Sequence, residues 1–305
     1  MNNQQGIAVI GSLNMDIVVQ MPRLPKLGET ISGDSVHYIP GGKGANQALG
    51  ASRLTAVTRM IGCVGTDQFG HTIQEQLGRS GVNLDGLSAL EGYTTGTAHI
   101  SLTEGDNCIV VVPGANEACT DEYVRSRQGD ITSSKVAIAQ LEIPIQAVIS
   151  AFQIAKEAGV TTVLNPAPAR QLPDELFRLT DYITPNESEW ELISGRPADS
   201  EESLQASMAE WEARHGTKII ITRGEKGCSY LEDGKLITIP APRVEVVDTT
   251  GAGDAFNAAL AYGLSQGQPI QDIVRLAVTS ASLSVQTFGA QDGMPQLEDV
   301  LRVIA

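Results

Sequence analysis

The residues best suited to chemistry lie at Val246–Asn257, in the sequence VVDTTGAGDAFN. Two β-branched apolar residues end a predicted strand, a glycine-rich turn follows, and a helix is expected over Ala255–Ser265. The first turn of a helix leaves backbone N–H groups without partners and carries the positive end of the helix dipole. The segment therefore predicts an anion-binding turn at Gly251–Gly253.

Asp254 lies in the same predicted turn. A carboxylate there repels a phosphate unless a metal ion screens it or unless it serves to accept a proton. The second option predicts a kinase: Asp254 takes the proton of an attacking hydroxyl, and the N–H groups of Ala252, Gly253 and Asp254 hold the charge of the transferred phosphoryl group. An Asp is also a common N-cap. Both interpretations fit this segment taken alone.

A second glycine-rich turn, Pro40–Ala48, leads into another predicted helix. It is not a P-loop, because His37 stands where the first glycine is required and Gly44 replaces the Ser or Thr after Lys43. Its glycines would let the backbone approach a small polar ligand, with Lys43 and Asn46 as hydrogen-bond donors. The alternative is a plain turn before a helix, with both side chains in solvent.

The composition is that of an acidic globular protein: 305 residues, 42% hydrophobic and 19% charged, with net charge −15 and a pI near 4.6. Such a surface repels nucleic acid and anionic membranes, so we expect neither as a partner, and a phosphate-bearing ligand needs a local site with a divalent cation. The cysteines and histidines show no zinc-type spacing. No basic signal region and no span of roughly 20 apolar residues is present, which predicts a cytoplasmic protein.

Strand and helix patterns alternate along most of the chain, as in Val136–Leu141 followed by Ile145–Ala158. Strand-only segments occur at Ile17–Met21, Glu29–Ile39, Gly96–Thr103 and Asn107–Val112, the last two joined by the turn Glu104-Gly105-Asp106. This order predicts an α/β fold with a doubly wound, mostly parallel central sheet flanked by helices. A small β-sheet lid is expected from about 14–40 and 96–113. We expect one domain over residues 1–305, because no linker or repeat divides the chain.

Further acidic residues follow predicted strands. Glu142 comes directly after a buried strand, and Glu187 and Glu189 lie in the first turn of a helix that Asn186 opens. Each is compatible with a ligand-binding site. Each is equally compatible with a helix start, where the helix dipole favours acidic side chains.

The segments Gly41-Gly42-Lys43-Gly44-Ala45-Asn46 and Asp248–Asp254 together resemble the two signatures of the ribokinase-like sugar kinases. More motifs follow in the same order over essentially the whole chain: Ser12-x-Asn14-x-Asp16, Asn165–Arg170, Thr184–Glu189 and Thr222–Gly227. Several spaced motifs in order are more specific than any one alone. The resemblance implies ATP-dependent phosphorylation of a sugar's primary hydroxyl, with D-ribose giving D-ribose 5-phosphate and ADP.

The resemblance also implies roles for individual residues. Asp254 is the expected general base, and the expected anion hole is Gly251, Ala252 and Gly253. The residues expected to bind the sugar are Asn14, Asp16, Gly42, Lys43, Asn46, Glu142 and Asp254. Those expected to bind ATP are Asn186, Thr222, Arg223, Gly224, Glu225, Lys226, Gly227, Gly253 and Val278.

Two cations and a partner subunit are implied in the same way. Glu189 is expected to help organise Mg²⁺ through water, which suits a cation that keeps several of its waters. A monovalent cation activator, usually K⁺, is expected at Asp248, Thr250, Ser284, Thr287, Gly289 and Gly293. A homodimer through the lid sheets is expected as well, since four strands alone bury little apolar surface.

Other functions remain as alternatives. One is a kinase for 2-deoxyribose or another small sugar; Asn14 favours ribose, because a side chain that bonds a 2-hydroxyl is left unpaired by the deoxy sugar. Another is a non-catalytic sugar- or nucleotide-binding regulator, against which the intact Asp254, glycine turn and Lys43 argue. A nicotinamide dehydrogenase is disfavoured, because Gly42-x-Gly44-x-x ends at Gln47 and so lacks the dinucleotide fingerprint.

Overall fold

The computed structural model describes residues 5–103 and 106–305. Its strands are β1 (Ile7–Ile10), β2 (Asn14–Gln20), β3 (Ser35–Gly41), β4 (Thr58–Gly65), β5 (Leu87–Leu90), β6 (Gly96–Thr103), β7 (Asp106–Val112), β8 (Val136–Ala139), β9 (Thr161–Leu164), β10 (Tyr182–Ile183), β11 (Lys218–Thr222), β12 (Cys228–Glu232) and β13 (Lys235–Ile239). Its α-helices are α1 (Lys43–Arg53), α2 (Gln68–Arg79), α3 (Asp121–Ser126), α4 (Gln128–Thr132), α5 (Ile145–Glu157), α6 (Asp174–Arg178), α7 (Glu187–Ser194), α8 (Glu201–His215), α9 (Ala252–Ser265), α10 (Ile270–Ser284) and α11 (Leu297–Ile304). Within the described ranges, none of these helices combines the length and apolar character needed to cross a membrane.

The main sheet has nine strands in the order β13-β12-β11-β10-β9-β8-β1-β4-β5. It is parallel from β11 to β5 and ends at one edge in the antiparallel hairpin β12–β13. Strand β1 is buried on both faces: Ile7 and Val9 join the apolar cluster that contains Phe256 of α9, and Ala8 and Ile10 join the cluster that contains Phe152 of α5. Helices therefore cover both faces of the sheet, and the predicted doubly wound α/β fold is confirmed.

The second sheet has four strands in the order β3-β2-β6-β7. Strands β2 and β6 are parallel, while β3 and β7 pair antiparallel at the two edges. The four strand-only segments thus form one small sheet, as the sequence predicted. Residues 104 and 105 of the predicted turn Glu104-Gly105-Asp106 lie outside the described residues. We refer to this sheet, β2, β3, β6 and β7, as the lid.

The prediction was wrong at one lid strand, because β3 begins at Ser35 rather than at Glu29. Glu29 closes a turn: its N–H donates to the carbonyl of Lys26 at 2.9 Å, and its carboxylate accepts from the N–H of Lys26 at 2.9 Å. The guanidinium of Arg23 binds the same carboxylate. These contacts hold the backbone of residues 26–29 in a turn and away from the ladder of β2.

The helix after the glycine-rich turn also differs from its prediction. Helix α9 begins at Ala252, three residues before the expected Ala255, because the N–H of Ala255 already donates to the carbonyl of Gly251 at 2.8 Å. Asp254 is therefore the third residue of the helix and not the residue that precedes it. An N-cap accepts from N–H groups at the second or third helical position, so this placement removes the N-cap interpretation of Asp254.

Candidate active site

The predicted sugar and base residues converge at the carboxyl ends of β1 and β8 and at the first turns of α1 and α9. Parallel strands end at one edge of a sheet, which is where α/β folds bind ligands. A Cβ on Gly50 of α1 would lie only 2.9 Å from the Cβ of Ala258 of α9. The missing side chain therefore allows the two helices to approach closely, and it brings Asn46 to Asp254.

Asp254 is buried, and both of its carboxylate oxygens are bound. Oδ2 accepts from Nδ2 of Asn46 at 2.9 Å, and Oδ1 accepts from Nε2 of Gln47 at 2.9 Å. Burial raises the pKa of this carboxyl above its ordinary value, while the Lys43 ammonium and the two amide donors act in the opposite direction. The carboxylate is thus held in one orientation in a setting that favours uptake of a proton.

The turn before α9 requires glycine at its first position. Gly251 has a φ of 81°, and a Cβ there would lie 2.7 Å from the Cβ of Ala290. Both the left-handed backbone and the close approach exclude larger residues. Gly253 differs, because an added Cβ would meet no atom within 4 Å. The first turn of α9 is therefore open at Gly253.

The backbone donors of this turn are fewer than predicted. The N–H of Ala252 donates to the carbonyl of Thr249 at 3.3 Å, so it is not free as we expected. The N–H groups of Gly253 and Asp254 belong to the first helical turn, where no carbonyl one turn earlier in the helix can accept them. These two groups, together with the helix dipole, form an anion-binding cradle next to the carboxylate.

Asp16, Glu142 and Lys43 surround the same space. Oε2 of Glu142 accepts from the hydroxyl of Ser12 at 2.5 Å and from the N–H of Lys43 at 3.1 Å, and the Lys43 Nζ lies 4.0 Å from Oε1. Burial, followed by the charges of Glu142 and Asp254, raises the pKa of Asp16 to about 7 against the opposing effect of Lys43. Helix α5 has no side-chain cap, so Glu142 is not a helix cap. The cluster offers many acceptors and one strong donor to a polyhydroxyl ligand.

Asn14, the first residue of the lid, completes this cluster. Its Oδ1 accepts from Nδ2 of Asn116 at 2.8 Å, and Oδ1 of Asn116 accepts from the N–H of Leu13 at 2.9 Å. The amide nitrogen of Asn14 is therefore left to donate to a ligand. Gly42 adjoins it with a φ of 87°, and a Cβ there would lie 2.7 Å from the nitrogen of Asn14. The sequence analysis missed Asn116, because one asparagine after a strand carries no local signal.

Asn186 and Glu189 form a capping box at the start of α7. The Asn186 side chain accepts from the N–H of Glu189 at 2.8 Å, and Oε2 of Glu189 accepts from the N–H of Asn186 at 2.9 Å. Glu189 therefore stabilises the start of helix α7, which is the structural role that the sequence also allowed. One carboxylate oxygen of Glu189 and the amide nitrogen of Asn186 remain for a ligand.

The Thr222–Gly227 loop begins at the carboxyl end of β11, next to the capping box. A backbone bridge pairs Thr222 with Asn186. The Arg223 guanidinium does not point to a free ligand surface: Nε donates to Oε1 of Glu187 at 3.1 Å and Nη1 donates to Ser229 at 3.2 Å. These bonds hold the guanidinium against Glu187 and β12, so the side chain of Arg223 has a structural role. The remaining predicted loop residues, Gly224, Glu225, Lys226 and Gly227, form a short 3₁₀ turn and its end.

Val278, like Gly253, is a predicted nucleotide residue that lies on a helix. It lies on α10, is 4% exposed, and packs in the same apolar cluster as Phe256 of α9. Its side chain therefore supports the helix that carries Asp254.

The described side chains fit Mg²⁺ only where water and substrate phosphates supply most of its ligands. Within residues 5–103 and 106–305, no group of three or more His, Cys, Asp or Glu side chains could hold a metal ion directly. A single acidic residue such as Glu189 fits Mg²⁺ held mainly by water and substrate phosphates, which is the usual pattern for this cation. Burial raises the pKa of the Glu189 carboxyl, and the N–H of Asn186 and the charge of Lys43 oppose this effect.

The residues predicted to hold a monovalent cation come from two loops that meet. Oδ1 of Asp248 accepts from the N–H of Thr250 at 2.9 Å, and Oδ2 accepts from the N–H of Gly289 at 2.9 Å. The N–H of Gly293 donates to the carbonyl of Gly289 at 3.1 Å, and a Cβ on Gly293 would lie 2.3 Å from the carbonyl oxygen of Ser284. Thr287 lies in the same loop. A carboxylate among backbone carbonyls fits a monovalent cation.

The doubly wound sheet, the lid and the buried carboxylate at a helix start together define a sugar-phosphorylating class of α/β enzyme. Residues 4–297 match the family described as pfkB family carbohydrate kinase. The chain therefore belongs to the pfkB family of carbohydrate kinases, and the resemblance that the sequence motifs indicated is confirmed. The Bacillus subtilis ribokinase is 41% identical over 99% of this chain and 100% of its own length.

Two further comparisons bear on the site. The structure of Arabidopsis thaliana ribokinase complexed with ribose and ATP superposes with a TM-score of 0.94 and 35% identity, covering 99% of both chains. The deoxyribokinase of Salmonella typhi is 33% identical over 96% of this chain and 96% of its own length. The fold and family are thus shared by kinases of both pentoses.

The charge cluster predicts how stability depends on pH. Because the folded-state pKa of Asp16 is raised to about 7 from 3.8, its contribution to stability is full below about pH 4 and is lost as pH rises through about 7. Asp16→Asn removes this loss. We therefore expect the difference in free energy of unfolding, variant minus parent, to rise by about 2 kcal/mol as the pH is raised from 5 to 8. The measurement is urea denaturation without ligand at each pH.

The matched control is Asp34→Asn, at an exposed residue just before β3. This change should leave the difference in unfolding free energy between pH 5 and pH 8 as it is in the parent protein. Parallel pH curves for Asp16→Asn and the parent would show that Asp16 is not destabilised by its charged neighbours.

Proposed function

We propose that this chain catalyses the ATP-dependent phosphorylation of D-ribose at its 5-hydroxyl, giving D-ribose 5-phosphate and ADP. The observation that carries the proposal is the buried Asp254 carboxylate, fixed by Asn46 and Gln47 beside the open N–H groups of α9. Full-length similarity to ribokinases, and to one solved with ribose and ATP, supports the same substrate pair.

In the proposed reaction Asp254 is the general base. Each of its carboxylate oxygens has lone pairs beyond the one used by an amide N–H, so one can accept the proton of the 5-hydroxyl as that oxygen attacks the terminal phosphorus of ATP. Gly251–Gly253 is the proposed anion hole, in which the N–H of Gly253 and of Asp254 stabilise the charge on the transferred phosphoryl group. Ala252 contributes less, because its N–H already has an acceptor.

The sugar is proposed to bind between the lid and the first turn of α1. Asp16 and Glu142 accept hydroxyl protons there, while Lys43 and Asn14 donate. Gly42 gives the backbone its close approach, and Asn46 supports the base. A polyol needs several fixed donors and acceptors, and the contacts that hold Glu142, Asn14 and Lys43 in place support this assignment.

ATP is proposed to lie along the carboxyl ends of β10 and β11, next to Asn186 and the Thr222–Gly227 loop. Glu189 would hold Mg²⁺ through water, and this cation supplies charge neutralisation for the phosphates. Asp248, Thr250 and the Ser284–Gly293 loop would hold a monovalent cation, whose charge supports the two loops flanking the start of α9. The contacts of Asp248 with Thr250 and Gly289 support this assignment.

The base assignment is tested by Asp254→Asn. The amide keeps the shape of the side chain but cannot take up the proton, so we expect kcat to fall at least ~10²-fold while calorimetry still detects ribose binding. Asp272→Asn is the matched control, because Asp272 is also the third residue of a helix, α10, but is exposed. Equal turnover in both variants would remove Asp254 as the base. No turnover in the parent protein would favour the non-catalytic regulator.

The second candidate is a kinase for 2-deoxyribose, and the similarity to a deoxyribokinase supports it. Asn14 favours ribose, since its Oδ1 is already bonded to Asn116 and its N–H groups are left for a hydroxyl. We expect kcat/KM for ribose to exceed that for 2-deoxyribose by about 1–3 kcal/mol, or roughly 5- to 150-fold. Asn14→Ala should reduce this ratio, and Asn107→Ala, at an exposed lid residue, should not. An equal or higher kcat/KM for 2-deoxyribose in the parent would reverse the assignment.

We also propose that the chain acts as one domain in the cytoplasm and as a homodimer joined through the lids. The two edge strands of the lid expose large apolar side chains, which a monomer would leave in water: Val36 and Tyr38 on β3, and Ile109, Val110, Val111 and Val112 on β7. Exposed apolar surface of this extent marks an interaction surface. A second lid is the proposed partner, because its surface is equally apolar.

The dimer is tested with Ile109→Asp and Val110→Asp, made separately, since neighbouring residues of β7 point to opposite faces of the lid. Light scattering should show a dimer for the parent and a monomer for the variant whose charge enters the interface. Val303→Asp is the control, an exposed apolar residue on α11 far from the lid in sequence. A monomeric parent, or dimers in both lid variants, would exclude the lid as the interface.

A further inference from the structure

Two rows of buried side-chain amides lead to Asp254. In the first, Nε2 of Gln140 donates to Oε1 of Gln47 at 2.6 Å, and Nε2 of Gln47 donates to Oδ1 of Asp254 at 2.9 Å. In the second, Nε2 of Gln291 donates to Oδ1 of Asn46 at 3.1 Å, and Nδ2 of Asn46 donates to Oδ2 of Asp254 at 2.9 Å. Every amide donates towards the carboxylate. We call these the Gln47 row and the Gln291 row.

In the Gln47 row, the two N–H bonds of the Gln47 amide determine which way the amide faces. Nε2 of Gln47 has two N–H bonds and two acceptors, Oδ1 of Asp254 and Oδ1 of Asn165, the latter at 3.1 Å. A rotated amide would set its carbonyl oxygen against both acceptors and lose both hydrogen bonds. Gln47 and Gln140 are 0% exposed, so water cannot replace the lost bonds.

The Gln291 row continues outward to α2, and its direction is set at its inner end, where the charged Asp254 can only accept. Nε2 of Gln76, on α2, donates to Oε1 of Gln291 at 2.7 Å, and the nitrogen of Gln291 donates to Asn46. The backbone of Gln291 is held as well, because Nη1 of Arg53 donates to its carbonyl at 2.8 Å and to that of Met294 at 2.6 Å. Gln291 is 1% exposed.

The direction of these bonds decides the protonation state that each row favours. An N–H that faces a carboxylate stabilises the charged form, whereas a carbonyl oxygen in the same place favours the protonated acid. A base must be charged in order to accept a proton. If Gln291 could not donate, the amide of Asn46 would be free to rotate and present its oxygen to Asp254.

We propose that Gln47 and Gln291 are positioning residues for Asp254, Gln47 directly and Gln291 through Asn46, and that they keep the carboxylate charged and aimed at the sugar hydroxyl. This inference rests on the proposed kinase function. It assigns a role in the reaction to a helix residue and to a loop residue that no sequence motif identified. It also explains why polar side chains fill a part of the core that apolar ones could occupy.

The test is Gln291→Met, which keeps the length of the side chain but cannot donate a hydrogen bond. We expect kcat for ribose phosphorylation to fall about tenfold at pH 7, with KM for ribose and for ATP within twofold of the parent. The acid limb of the kcat–pH profile should move to higher pH, so that the deficit shrinks towards pH 9. The other charged groups that face Asp254 are Asp16 of β2, Lys43 of α1 and Glu142 after β8, and all are unchanged in this variant.

Gln74→Met is the control. Gln74 is a half-buried glutamine on α2, as Gln76 is, but its amide donates to the carbonyl of Gly70 at 3.1 Å and not to the Gln291 row. It should leave kcat, both KM values and the pH profile unchanged. Gln47→Met should give the same pattern as Gln291→Met with a larger loss of kcat, because Gln47 bonds the carboxylate directly.

Each other outcome has a definite meaning. A parent that does not phosphorylate ribose would refute the proposed function. An active parent with an equally active Gln291→Met would refute this inference alone. A loss that is the same at every pH, or that raises KM, would make Gln291 merely structural. If thermal melting shows Gln291→Met unfolded, Gln76→Met at the half-buried outer end must shift the acid limb in the same direction, and an unshifted limb would overturn the proposal.

Discussion

The need to keep one buried carboxylate charged governs much of this structure. A charge removed from water costs free energy unless nearby charges and hydrogen-bond donors compensate it. Helix α1 compensates the charge of Asp254 with one face. Lys43, Asn46 and Gln47 lie on that face, at positions i, i+3 and i+4 of the helix. The close contact at Gly50 presses this face against α9. The fold thus places one helix beside another so that the first can solvate a carboxylate of the second.

The lid must leave room for two polar side chains of the site, Asn14 and Asp16. Asn14 of β2 is flanked in register by Gly41 of β3 and Gly96 of β6. A Cβ on Gly41 would lie 2.4 Å from Oδ2 of Asp16, and one on Gly96 would lie 2.2 Å from Oδ1 of Asn14. Glycine on both neighbouring strands therefore leaves the room that the two site side chains occupy. The lid is built around these side chains as well as over them.

The sequence predicted the fold where apolar periodicity was strong and missed it where burial was slight. Helix α5, with eight of its thirteen residues buried, lies within one residue of its predicted bounds, Ile145–Ala158. Helix α8 was not predicted, because few of its fifteen residues are buried and its apolar stripe, Leu204, Met208 and Trp211, is narrow. In the site, motif spacing led to Asp254 and Lys43, whereas Gln140 and Gln291 look like ordinary surface residues until the tertiary structure buries them. Local patterns carry no information about such long-range amide contacts.

The partners of Asp254 lie far away in the chain: Asn46 and Gln47 precede it by 208 and 207 residues, and Gln291 follows Asn46 by 245. At ordinary rates of translation, roughly 10–40 s separate the synthesis of these amides from that of the carboxylate they bind. Ribosome-bound fragments that end before α9 contain neither the carboxylate nor the helix whose apolar residues share a core with α1. Assembly of the site therefore has to wait until α9 and the segment of Gln291 have been synthesised.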